Sequence, residues 1–166
     1  AGFIGSNLVD VLLEKKVEVV IIDNLSTGNK NNINNNATFL EYDLSSMSAP
    51  DLIDVLSDID IVFHLAALAR VQPSIEDPLP YNNANVTATL NLLNACVKTN
   101  VKRVVYSASS SCYGNSSKVP QRETDSINPL SPYGLQKYIS ELYCKLYSDI
   151  YNLDTVSLRY FNVYGE

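Results

Sequence analysis

The sequence predicts an α/β domain organised as a doubly wound parallel sheet, and three observations predict it. Apolar runs at 17–22 and 59–65 are near-continuous, broken only by Glu18, Asp60 and His64, rather than alternating, the pattern of strands buried on both faces. Helix-like segments separate these runs from each other and from further strands at Thr38–Glu41, 101–107 and 155–160, and such alternation implies an open parallel sheet covered on both sides. A glycine turn, Gly2-x-x-Gly5, leads into the first helix, and Asp23 follows eighteen residues later at a strand end. In such sheets, functional residues collect at the carboxyl ends of the strands.

The elements follow in order. Residues 2–13 read as a glycine turn running into a helix, with Leu8, Val11 and Leu12 on one face. The strand 17–22 ends in Asp23, and the asparagine-rich stretch 24–37 is a loop. A short strand, Thr38–Glu41, is followed by Asp43 and Leu44. Pro50 is placed to start a helix that ends near Leu56. The strand 59–65 runs into Ala66 and Ala67, and a loop with Pro73, Pro78 and Pro80 follows. Residues 81–99 form a helix with Val86, Leu90, Leu93 and Val97 on one side. The strand 101–107 opens into a loop at 109–131 rich in hydroxyls. Pro132–Tyr151 is a helix, with Ile139, Leu142, Tyr143, Leu146 and Ile150 at helical spacing, and 155–160 is the last strand.

Composition narrows the function classes. The 166 residues make one domain's worth of chain, 46% hydrophobic. A net charge of −6 offers no electrostatic footprint for nucleic acid, and no apolar run is long enough to span a membrane. Three scattered cysteines and one histidine lack metal-ligand spacing, so no metal site is expected. Unpaired cysteines suggest reduced thiols in a cytoplasmic protein.

Two constellations carry chemistry. Tyr133 and Lys137 form the only Tyr-x-x-x-Lys in the chain. On a helix they share one face. An ammonium beside a phenol favours the phenolate, which makes Tyr133 a candidate acid/base. The hydroxyl cluster Ser107 to Ser111 precedes this pair. The second constellation is Gly2-Phe3-Ile4-Gly5 with Asp23, a remnant of a dinucleotide fingerprint whose acid accepts from a ribose diol and repels a 2′-phosphate. It favours NAD over NADP. The glycines also fit close helix–strand packing, and it is Asp23 in register that tilts the reading to nucleotide binding.

Six blocks in order resemble the extended short-chain dehydrogenase/reductase family, in particular its NAD-dependent nucleotide-sugar epimerases and dehydratases. They are Gly2-Phe3-Ile4-Gly5-Ser6, Asp23-Asn24-Leu25, His64-Leu65-Ala66-Ala67, Ser107 to Gly114, Ser131-Pro132-Tyr133 to Lys137, and Arg159-Tyr160-Phe161-Asn162-Val163-Tyr164-Gly165. The likeness is greatest to UDP-sugar 4-epimerases acting on glucose, N-acetylglucosamine or glucuronate. It implies a Rossmann-like fold truncated at both ends, with the first strand and a C-terminal substrate domain missing, so that 1–166 is a partial NAD-binding domain. The missing strand belongs at the sheet centre, between 17–22 and 59–65, and the fragment alone is expected to fold poorly and be inactive.

The resemblance also implies roles by position. Tyr133 is the catalytic base, Lys137 assists it and bonds the nicotinamide ribose, and Ser109 helps hold the reacting oxygen. Ser111 and Asn162 contact the UDP-sugar. Asp23 and Asn24 hold the adenosine ribose, and Asp43 and Leu44 border the adenine. Leu65, Ala66 and Ala67 line the cofactor, though simple packing explains them equally well. Asn85 lies near the cofactor, with a surface role as its alternative, and Tyr160 flanks the nicotinamide, with a core role as its alternative. Related dehydratases carry a carboxylate in the serine turn where this chain has Ser110 and Ser111. Epimerization therefore ranks first, a dehydratase or reductase second, and a non-catalytic NAD-binding scaffold last. A homodimer through helices 81–99 and Pro132–Tyr151 is expected from the same resemblance.

Overall fold

A computed structural model describes residues 1–165. Helix α1 (Phe3–Glu14) precedes strand β1 (Val20–Asp23), which pairs in parallel with β2 (Thr38–Glu41). Helix α2 (Ala49–Leu56) follows, capped by Ser48, whose hydroxyl accepts from the Asp51 N–H. Strand β3 (Ile61–His64) pairs with β4 (Arg103–Ser109), and β4 pairs with β5 (Asp154–Tyr160), all in parallel. The described strands thus form two pieces, β2-β1 and β3-β4-β5. Edges β1 and β3 do not pair, as the order inferred from the sequence requires.

Several boundaries move for physical reasons. The strand expected at 17–22 begins at Val20, the first residue in register with β2. The strand expected at 101–107 runs on to Ser109 because β5 accompanies it, with Ser109 opposite Tyr160. The loop at 66–80 contains a short helix, α3 (Val71–Glu76). The helix expected from 81 starts earlier, as α4 (Pro78–Asn82), because Pro78 fits the first helical turn. It continues through a π-helical segment, Asn83–Thr87, into α5 (Ala88–Val97). A 3₁₀ turn, Ser110–Tyr113, follows β4, and α6 (Pro132–Tyr151) precedes β5.

One face of β4, with Val104, Tyr106 and Ala108, is fully buried. It belongs to a core with Leu92, Leu93 and Cys96 of α5, Cys144 and Tyr147 of α6, and Leu52 and Leu56 of α2. Ile22, partly buried, ties the β1–β2 pair to this core. On the other face, Phe63, Val105, Ser107, Leu158 and Tyr160 surround a cavity of about 130 Å³ with Ile4 and Leu8 of α1. All three cysteines are buried free thiols.

Candidate active site

Parallel strands deliver their carboxyl ends to one side, and Asp23, Asp43, Leu65, Ser109 and Tyr160 lie at or just beyond those ends. Asp23 ends β1 beside the glycine turn, and its carboxylate accepts from the Leu25 N–H at 2.8 Å. Asn24 donates to Asp43 across to the end of β2, at 3.0 Å. Asp43 also accepts from the Ser45 N–H and hydroxyl, the latter holding its carboxyl below the usual range. Leu44 is buried, and Asn91 of α5 donates to its carbonyl.

Gly2 caps α1 without a side-chain partner, and the first intrahelical bond runs from the Ser6 N–H to the Gly2 carbonyl. The N–H groups of Phe3, Ile4 and Gly5 therefore have no intrahelical acceptor, the arrangement that receives a phosphate. A Cβ at Gly2 or Gly5 would meet no atom within 4 Å, so no contact within this chain requires glycine there. An acid at the strand end, open backbone donors and room at both glycines fit a dinucleotide.

The second half of the site is built on α6. Ser131 caps it by accepting from the Gly134 N–H at 3.1 Å, and Pro132 fits the first turn. Tyr133 is fixed by its backbone N–H, which donates to the Ser74 hydroxyl of α3 at 3.1 Å. Ser74 is fully buried and lies fifty-nine residues from Tyr133; nothing in the sequence marks it. Gly134 lies so close to the serine turn that a Cβ there would stand 2.9 Å from the Ser111 carbonyl oxygen. Within that turn Ser109 donates to the Ser111 hydroxyl at 3.0 Å and accepts from the Ser111 N–H. The structure thus sets the serine turn of Ser109 and Ser111 against the start of α6, the helix that carries Tyr133 and Lys137. Lys137 is only 3% exposed, and burial lowers its pKa to about 8.

Behind this face lies a satisfied polar network. Thr89 donates its only proton to the Asn85 carbonyl at 2.6 Å, so His64 Nε2 must be the donor in the 2.9 Å bond between His64 and Thr89. The Ser140 hydroxyl also donates to the Asn85 carbonyl. The Asn85 side chain accepts from the Leu68 N–H, donates to the Leu68 carbonyl and donates to Gln136. Asn85 is 1% exposed, which removes the surface alternative: its amide anchors the segment that carries Leu65, Ala66 and Ala67. Asn162 is exposed beyond β5, and Tyr160 faces α1 across the cavity.

The network has a pH consequence. Burial, aided by Lys137, lowers the His64 pKa to about 3. As pH falls below the ordinary value of 6.5, the unfolded state gains a proton that the folded state does not take up. Stability attributable to His64 should then fall by about 1.4 kcal/mol per pH unit towards pH 3. Urea unfolding of the full-length protein across this range checks it: His64→Gln should show a shallower acid decline, and an unchanged slope contradicts the assignment.

Arg159 joins the end of β5 to this region. It donates to both Glu141 carboxylate oxygens and, at 2.8 Å, to the Tyr113 hydroxyl, and it reaches the Glu123 carbonyl. The bidentate pair is partly buried and binds β5 to α6 and to the turn after β4. Sequence reading places Arg159 in a motif and gives it no such role.

Comparison with known proteins identifies the family. The NAD dependent epimerase/dehydratase family model matches residues 1–166. The chain is 44% identical to a putative UDP-glucose 4-epimerase of Methanocaldococcus jannaschii, covering 100% of this chain and 54% of that protein. A UDP-N-acetylglucosamine 4-epimerase from Methanobrevibacter ruminantium, solved with UDP-N-acetylmuramic acid, superposes with a TM-score of 0.93 at 47% identity, over 99% of this chain and 53% of its own. The Brucella ovis UDP-glucose 4-epimerase, solved with NAD, gives 0.91 at 38% identity, over 98% and 50%. The chain spans about half the length of the relatives it matches. With the family model matched along the whole chain and a parallel Rossmann-like sheet, the chain belongs to the NAD dependent epimerase/dehydratase family.

Proposed function

We propose that this chain is the cofactor-binding part of an NAD-dependent UDP-sugar 4-epimerase that works through a transient 4-keto sugar. The observation that carries the reading is the Tyr133–Lys137 face of α6, held against a turn that offers hydroxyls and no carboxylate. Elimination of water from a sugar needs a carboxylic acid or carboxylate base, and Ser110 and Ser111 cannot supply one. Epimerization needs one base that takes a proton and returns it.

When bound, NAD supplies the reversible two-electron oxidation of the sugar C4. Asp23 and Asn24 hold the adenosine ribose, Gly2, Phe3, Ile4 and Gly5 approach the pyrophosphate, and Asp43 and Leu44 border the adenine. Leu65, Ala66 and Ala67 form a wall that Asn85 steadies, and Tyr160 flanks the nicotinamide. Lys137 bonds the nicotinamide ribose and assists Tyr133. Tyr133 takes the proton from the C4 hydroxyl, Ser109 holds the oxygen, and Ser111 and Asn162 hold the UDP-sugar. Proton return from Tyr133 completes the cycle with the cofactor unchanged.

A substrate-binding domain outside this chain closes the sugar pocket in this reading. Exposed Leu135, Leu142, Leu146 and Ile150 on α6 support a homodimer through α5 and α6. The buried free thiols suit the cytoplasm. Conversion of a C4-deuterated UDP-sugar to its C4 epimer, without added reductant, tests the reading.

A further inference from the structure

Lys137 carries a buried ammonium, and none of the ion pairs among the described residues includes it. The group that meets it is a ring: Nζ stands 4.5 Å from the centroid of Tyr106. Tyr106 is 1% exposed and sits mid-strand in β4, so its ring has no freedom to leave. Its hydroxyl donates to the Lys137 carbonyl at 3.4 Å, and the His64 ring packs against it at 5.6 Å between centroids. The ring is thus tied to the same turn of α6 whose side chain it receives.

We propose that Tyr106 is a positioning residue whose ring face seats the Lys137 ammonium and keeps it cationic beside Tyr133. A ring face attracts a cation most strongly where water is excluded. Every other group facing the lysine fails to supply a counter-charge. His64 of β3 is neutral above about pH 3, and its proton on Nε2 is committed to Thr89. Cys144 of α6 is a thiol pushed up to about 12. Glu141, one turn beyond Lys137, is bound by Arg159 of β5. Tyr133, one turn before Lys137 on α6, is the residue that the lysine serves in the epimerase reading. The seat gives a buried lysine the polarity it needs without a carboxylate that would neutralise its effect on the phenol. This inference rests on the epimerase reading for the role of Lys137, and on the geometry alone for the seat.

The test uses the full-length protein with ¹³C-labelled lysine, following the Lys137 Cε resonance against pH, assigned by its loss in Lys137→Met. Tyr106→Phe keeps the ring and should titrate as the parent does. Tyr106→Leu should lower the Lys137 pKa by about one unit, the scale of a desolvated cation–ring contact. Mono-, di- and trifluorophenylalanine at position 106 weaken the ring face at nearly constant volume, which keeps the test informative if Tyr106→Leu fails to fold. The titration should fall stepwise with fluorination, and the alkaline fall of kcat/KM, where the ammonium is lost, should move to lower pH with it. An unchanged titration across the fluorinated series overturns the seat even where Lys137→Met is inactive. Full turnover by Lys137→Met overturns the catalytic role of the lysine, and with it the part of Tyr106 in the reaction.

Discussion

Tyr133→Phe in the full-length protein is expected to lower kcat by about 10²- to 10⁴-fold, the usual contribution of a positioned acid/base. The substitution removes one hydroxyl and leaves the backbone N–H that donates to Ser74, so α6 keeps its anchor. Asp23, Asn24 and the glycine turn lie on other elements and are untouched. NAD affinity, read by equilibrium binding, should therefore change little while turnover collapses. Loss of both together would point to a folding defect, and retained turnover would show that another group takes the proton.

Gly134→Ala is expected to lower kcat by about 10- to 100-fold with little loss of stability. In an ordinary helix position alanine is favoured over glycine by up to about 1 kcal/mol. Here the new Cβ would lie 2.9 Å from the Ser111 carbonyl oxygen and 3.3 Å from its carbon, both backbone atoms that cannot rotate away. The start of α6 and the serine turn must move apart. That displaces Tyr133 from Ser109 and Ser111, and a shift of about 1 Å at reacting groups can cost roughly 10²-fold. The helix gain offsets part of the clash, so thermal unfolding should move by only a few degrees. A variant with unchanged kcat would show that the turn and the helix need not stay in register.

Much of this arrangement is legible in the sequence because it is local. The Tyr133–Lys137 face follows from helical spacing, the cap from Ser131 and Pro132, and the strand-end position of Asp23 from the apolar run before it. The order of the strands, and the gap between β1 and β3, follow from the dinucleotide-fold order that the family resemblance implies. What escapes is non-local. Ser74 reaches Tyr133 across fifty-nine residues, and His64 reaches Thr89 across twenty-five. A single side-chain oxygen carries each link, and no periodicity records it. Proline misleads in one place: Pro78 and Pro80 suggest a loop, yet both lie in the opening turn of α4, where the missing N–H costs nothing. The π-helical segment around Asn85 leaves no compositional trace either, although it sets the carbonyl that Thr89 and Ser140 share.

The most direct measurement is proton NMR of UDP-glucose, UDP-N-acetylglucosamine and UDP-glucuronate, each deuterated at C4, incubated singly with the full-length protein and no added reductant. A transient 4-keto sugar held beside Tyr133 predicts the matching galacto-configured product from at least one of them, with deuterium retained at C4. A 4-keto-6-deoxy product, deuterium lost to solvent, or no turnover of any of the three by NAD-loaded protein would contradict it.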